Sequence, residues 1–340
     1  MSIQFNGSKC AAVLAVIAAL IPSSIQAAEI STTLTSPGWT FFNFDPPLPA
    51  GSVGSNANGI NNLGQVVGVT VDANNAPTFS NFTGTPARTV PLNTGAGTIA
   101  FGINNHGDVV GTQNGTAFFF DRDTRNDAPE PILVPAGATN AFGINDLGQI
   151  VGQYTNAQGQ TPGFMILHRK ARRYITINAP SGPNVVNAQA VNNFGLIVGF
   201  YVGTDGQTHG FKANAAEAHN GVVTGTAIPD PVIPAVAGEP GATFVFSQLL
   251  GVNDRGIVVG YYGDSTTSQH GFIYDTNTEK YTFLDDPKEA FSNGVEVTQI
   301  TGISDSGEFS GFYTDANGAA HSFTACPAYA FCPNFPHELH

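Results

Sequence analysis

The sequence predicts an all-β fold: a single six-bladed β-propeller, closed by pairing of the N-terminal strand with the last blade. Three observations predict it. One decapeptide recurs six times, the last copy lacks a fourth strand, and an orphan strand-like segment precedes the first copy. The copies are GINNLGQVVG from residue 59, GINNHGDVVG from 102, GINDLGQIVG from 143, AVNNFGLIVG from 190, GVNDRGIVVG from 251 and GISDSGEFSG from 302. Their starts lie 43, 41, 47, 61 and 51 residues apart. A period of about 40–50 residues with strand character is that of propeller blades.

Each copy has a mechanical meaning. An apolar residue ends one strand, and two Asn, Asp or Ser residues follow. A variable residue and a Gly complete a turn, because Asn and Asp bond their own backbone and Gly takes positive φ. The turn glycines are Gly64, Gly107, Gly148, Gly195, Gly256 and Gly307. A second strand follows at once, with a Gly where backbones approach closely. A third strand centres on an aromatic residue, read as Phe79, Phe118, Phe164, Phe211, Phe272 and Phe323. Fourth strands follow in YITINAP (174–180) and YTFLDDP (281–287). The orphan WTFFNFDPP (39–47) resembles them, so it fills the missing place in the last blade. Closure by the two termini leaves only short, protected edges, whereas an open solenoid needs capping repeats.

The decapeptides and the aromatic strands that follow them resemble the extracellular HAF repeat family, named for a His-Ala-Phe tripeptide. The resemblance covers about residues 39–325, although no tripeptide here is strictly His-Ala-Phe. It implies an exported bacterial propeller-like protein and no particular activity.

Composition sets the domain plan. Residues 1–27 read as a signal peptide: Lys9, an apolar run from Cys10 to Ile21, a break at Pro22, and small residues Ala27 and Ala28. The chain is therefore expected to be secreted or periplasmic, with no membrane span because no later run is long and apolar enough. Residues 28–325 form the propeller domain, and 326–340 a tail. Cys326 and Cys332 lie close together there, and a disulfide between them is expected in an oxidising compartment. The HELH at 337–340 lacks metal-ligand spacing. The 12 basic residues against 25 acidic ones give a net charge of −13. That balance excludes a nucleic-acid partner, which needs clustered Lys and Arg.

Candidate site residues fall into sets defined by the repeat. Three positions before each motif stand Asn56, Ile99, Asn140, Asn187, Gln248 and Gln299. The five amides sit on the innermost strand and are expected near the axis, where amides bind sugars or bridge blades. Tyr201, Tyr262 and Tyr313 end the second strand in copies four to six and form an expected aromatic platform, or packing between blades. His209, His270 and His321 hold one place in three blades, too far apart to share a metal. No metal and no cofactor is expected. Asp146, Asp254 and Asp305 stand where other copies carry Asn, which argues for turn chemistry. Asp121, Asp123, Asn126 and Asp127 form a loose acidic hairpin tip without the Gly of a calcium loop. Residues 214–243 stretch one spacing and read as an ornament or a binding loop.

The function expected is a non-catalytic binding or scaffold module for an extracellular glycan or surface polymer, on the face of the second-to-third-strand turns of copies four to six. Two alternatives stand beside it. One is a polysaccharide-acting glycosidase or lyase with a central-channel site. The other is a protein-interaction platform that uses residues 214–243 to hold a surface protein.

Overall fold

The computed structural model describes residues 32–332 apart from 37, 123–127, 134, 136, 169–171, 183–184, 234–241 and 289–294. The expected signal segment, the HELH, most of the acidic hairpin tip and the middle of the insertion lie outside the described residues. Six antiparallel blades surround one axis. Their innermost strands are Gly54–Ile60, Thr98–Ile103, Ala138–Ile144, Val186–Val191, Phe244–Val252 and Thr298–Ile303. Among the described residues the one helical segment is a 3-10 turn, Ala215–Glu217. No described helix is long and apolar enough to cross a membrane.

The ring closes as the termini predict. Trp39–Phe44 pairs with Ala320–Pro327, the third strand of the last blade, in the register Trp39 with Pro327 through Phe44 with Ser322. Thr32–Ser36 adds a further outer strand to it. Phe42 and Phe44 of this strand then pack with Ala57, Ile60, Val66 and Phe82 of the first blade. Asn43 donates to buried Asp286 of the fifth blade at 2.8 Å. One short strand thus holds three blades together.

The core lies between blades. Val151, Met165 and Ile177 of the third blade meet Val186, Ile197 and Phe211 of the fourth, and mixed clusters of this kind join each neighbouring pair. A blade buried on both faces needs apolar residues on both faces, which explains the unbroken VVG and IVG runs. The Gly of each run faces a neighbouring-strand carbonyl and, in four blades, a third-strand Phe ring. A Cβ on Gly111 would run into Ile99 O and the ring of Phe118. In the first blade the Phe opposite this Gly is Phe82, which pairs with Gly68. Phe79, the sequence-based choice, is exposed and has φ of +59°. The extra residues of the Pro-Thr-Phe segment shift the count.

The insertion is woven into the ring. Val222–Thr224 pairs in parallel with Arg173–Asn178 of the third blade. Thr226–Ala227 is the outer strand of the fourth blade. Ile228 is buried in the next interface. The expectation of an irregular, disordered ornament is therefore corrected for residues 222–228: here the insertion supplies the fourth strand that the repeat otherwise lacks. Cys326, expected in the tail, lies within the last strand one residue before its end, and is disulfide-bonded to Cys332.

Candidate functional site

The six decapeptide turns meet at one mouth of the axis. In the first five, the leading Asn bonds its own turn. Asn61 Oδ1 accepts the amides of Leu63 and Gln65, each at 3.0 Å, and Asn104, Asn145, Asn192 and Asn253 do the same. The Gly that follows takes φ between +67° and +92° in all six turns, a region costly for any residue with a Cβ. The other end of each leading amide crosses to the next blade. Asn61 Nδ2 donates to Asn104 O, Asn104 to Asn145 O, Asn145 to Asn192 O, Asn192 to Asn253 O and Asn253 to Ser304 O.

The second turn residue closes a ring of its own. The backbone amides of Asn62, Asn105, Asp146, Asn193, Asp254 and Asp305 each donate to the side-chain Oδ1 of the next member, at 2.7–3.0 Å, and Asp305 returns to Asn62. The outer carboxylate oxygens accept from the amide nitrogens. Asn105 Nδ2 bonds Asp146 Oδ2 at 2.7 Å, and Asn62 Nδ2 bonds Asp305 Oδ2 at 2.6 Å. Asn193 Nδ2 lies 3.2 Å from Asp146 Oδ2 and 2.9 Å from Asp254 Oδ2. The turn carboxylates, read from sequence as separate, therefore converge on one mouth. Their oxygens are also all occupied as acceptors, which is the turn chemistry that the Asn-for-Asp exchange implied.

Within this ring lies a cavity of about 110 Å³. The residue just before each motif lines it: Asn58, Phe101, Phe142, Gln189, Leu250 and Thr301. Phe101 and Phe142 pack at 5.3 Å between centroids, so one wall is aromatic. Asn58 and Thr301 bond carbonyls of the next blade. The variable residue of each turn is not part of this lining. Leu63, Leu147 and Phe194 are 48, 65 and 75 % exposed there. Sequence reasoning missed both sets. The signal available was the variable position itself: nothing in the turn chemistry calls for an apolar residue, and three of six tips carry one.

The expected amide set lies elsewhere. Asn56, Asn187 and Gln299 are buried, and Asn140 and Gln248 half-buried, and none of the five lines the axial cavity. Gln248 accepts from Tyr261 at 2.8 Å, Gln299 donates to Gln269, and Asn140 reaches Thr139. A bulge in each inner strand, as between Ala57 and Gly59, resets the alternation and moves the axial position to the residue next to the motif. The aromatic platform is corrected too. Tyr262 and Tyr313 are 2 % and 1 % exposed, and each packs on a histidine. Tyr201, half-buried, does the same with His209.

Those histidines form three like clamps on the opposite mouth. His209 lies between Asp230 (2.8 Å) and Asp205 (3.1 Å). His270 lies between Asp285 (3.0 Å) and Asp264 (3.7 Å), and His321 between Asp45 (2.7 Å) and Asp315 (3.6 Å). Each ties the second-to-third-strand turn to the exit of the outer strand. Burial disfavours the charge on His209, but the carboxylates of Asp205 and Asp230 outweigh it and raise its pKa. Burial likewise opposes ionisation of Asp315. The His321 ring and the amides of Ala319 and Asn317 outweigh that and hold it down at about 2. The clamps sit in separate blades, as the repeat implied. Among the described residues no group of three or more His, Cys, Asp and Glu side chains is arranged to hold a metal.

No family model and no curated protein matches the sequence. Solved structures resemble the fold at low identity. A point mutant of Aleuria aurantia lectin, in complex with alpha-methyl-L-fucoside, is 9% identical with a TM-score of 0.43, covering 85% of this chain and 99% of that one. A six-bladed fungal lectin structure from Aleuria aurantia is 9% identical at TM-score 0.31, covering 89% and 90%. Puromycin hydrolase is 12% identical at TM-score 0.42, covering 88% of this chain and 54% of its own. At these values the likeness says nothing of ligand or activity.

Proposed function

We propose that the protein is an exported, non-catalytic binding module whose ligand site is the axial mouth ringed by the six decapeptide turns, and whose ligand is a glycan. One observation carries this reading: exposed Leu63, Leu147 and Phe194 stand on three of the six turns whose amides and carboxylates line the axial cavity. A sugar ring offers the matching chemistry, apolar C–H faces for these three side chains and hydroxyls for the polar turns. A water needs ~10–15 Å³ of such space, so the cavity takes several waters or one sugar-sized group. Export and kinship to the HAF repeat proteins belong to the same proposal, on the strength of residues 1–27 and the six repeats.

The test is a titration of the purified chain with a panel of free monosaccharides, read by melting temperature, since a ligand of the folded state raises it by mass action. The expected result is a shift with one sugar class that Phe194→Ala abolishes without lowering the unliganded melting temperature. A shift that Phe194→Ala leaves intact would move the site elsewhere.

A second reading, a polysaccharide-acting enzyme, is favoured by the shared contact of Asn193 Nδ2 with Asp146 and Asp254, which brings two carboxylates close enough to straddle one glycosidic bond. Against it stands the occupation of every oxygen of that pair. Release of reducing sugar from an oligosaccharide, lost in Asp254→Asn, would establish the enzyme.

A further inference from the structure

The inter-blade amide contact is made five times, and the sixth seam differs. In the first three blades the leading Asn Nδ2 also donates to the side chain four residues on: Asn61 to Gln65 (2.9 Å), Asn104 to Asp108 (3.1 Å) and Asn145 to Gln149 (2.7 Å). One amide nitrogen thus joins a side-chain oxygen of its own blade to a carbonyl of the next. At the seam between the last blade and the first, the leading residue is Ser304 and the residue four on is Glu308. Serine has no nitrogen to give. Its hydroxyl instead bonds Ser306 Oγ at 2.8 Å and Glu308 O at 3.1 Å.

The consequence falls on Glu308. It is 0% exposed, and neither carboxylate oxygen has a hydrogen-bond partner. Burial alone pushes the carboxyl up to about 8, with no basic group contributing. The guanidinium of Arg255 lies against Gly307 instead. Asn61 O, which in register is the carbonyl across the seam, accepts only the turn amide of Gly64 among the hydrogen bonds described. Around Glu308 the seam therefore gathers oxygen atoms, and no hydrogen bond reaches its carboxylate.

We propose that this seam binds a hard cation of the calcium type, ligated by the Glu308 carboxylate and Asn61 O, with the hydroxyls of Ser304 and Ser306 beside them. Carboxylate, carbonyl and hydroxyl oxygens are the donors such ions take. The cation does at the seam between the last blade and the first what an amide nitrogen does at the other five, so it fastens the ring there.

The experiment uses the full chain stripped with chelator and then titrated with calcium chloride, with sodium chloride and magnesium chloride as parallel arms. Melting temperature and isothermal calorimetry are the readouts. Calcium is expected to bind once per chain and to raise the melting temperature by several degrees. The double variant Ser304→Asn with Glu308→Gln rebuilds the Asn61–Gln65 pairing. It is expected to melt above the stripped wild type and to ignore calcium. No calcium response in the wild type overturns the proposal, as does an equal response in the double variant, which would place the ion elsewhere. Stability that follows pH alone, with every salt arm flat, overturns it in favour of a proton.

Discussion

Individual side chains hold this fold by taking over bonds that backbone would otherwise make. Each leading Asn satisfies two amides of its own turn and a carbonyl of the next blade, which is why Asn recurs where any polar residue could cap a hairpin. The His clamps act by hydrogen bonds to carboxylates of two segments. His321 is buried between Asp45 and Asp315, so His321→Ala strands two carboxylates and is expected to cost about 3–5 kcal/mol by urea unfolding. His209→Ala is expected to cost clearly less by the same measurement, because Asp205 is 55 % exposed and solvent screens the pair. The pH dependence follows from Asp315. Its folded pKa, about 2, lies below the ordinary 3.8, so it stabilises the fold above pH 3.8 and loses that contribution as pH falls towards 2. That contribution is at most about 2 kcal/mol once solvent screening is discounted, and Asp315→Asn should flatten this part of the acid limb. His209 has the opposite sign: its raised pKa stabilises the fold below 6.5 and loses the effect as pH rises through the folded value. The histidines were visible in the sequence as a repeated His-x-Phe. The Asp45 partner was not, because it stands 276 residues from His321 and only ring closure brings the two together.

Among the strands and turns, the blade was legible because its signals are local: turn Gly, polar pair, apolar run. Where the count of residues varies, local reading slipped. The bulge in each inner strand displaced the axial position from Asn56 to Asn58, and extra residues hid Phe82 behind Phe79. The outer strand of the fourth blade was hidden in the insertion because it is two residues long. The glycines of the second strand and of the turns carry different loads. Gly199→Ala drives a Cβ into Asn187 O, and should cost about 4 kcal/mol or more in urea unfolding, the upper range for a point change. Gly115→Ala meets no atom within 4 Å and pays only for its φ of +78°, about 1 kcal/mol. Deleting residues 32–44 removes Phe41, Phe42 and Phe44 from two interfaces. The melting temperature should fall by more than about 10 °C.

In the assembled ring, six turns that are each ordinary alone become a site by symmetry. Equivalent residues of different blades are distant on the outer strands, as the three clamps are, and adjacent at the axis, as the Asn and Asp ring is. The convergence of Asp146, Asp254 and Asp305 was therefore illegible from any single repeat. The symmetry is broken where it matters for recognition: Phe194, Leu147 and Leu63 share the turn tips with His106, Arg255 and Ser306. If these turns bind a sugar, calorimetric titration of the sugar found in the panel into wild type, Phe194→Ala and Leu147→Ala decides it. The expected result is one site per chain and affinity at least about tenfold weaker in each variant, equivalent to about 1.4 kcal/mol. Equal affinities in all three proteins would contradict the sugar site.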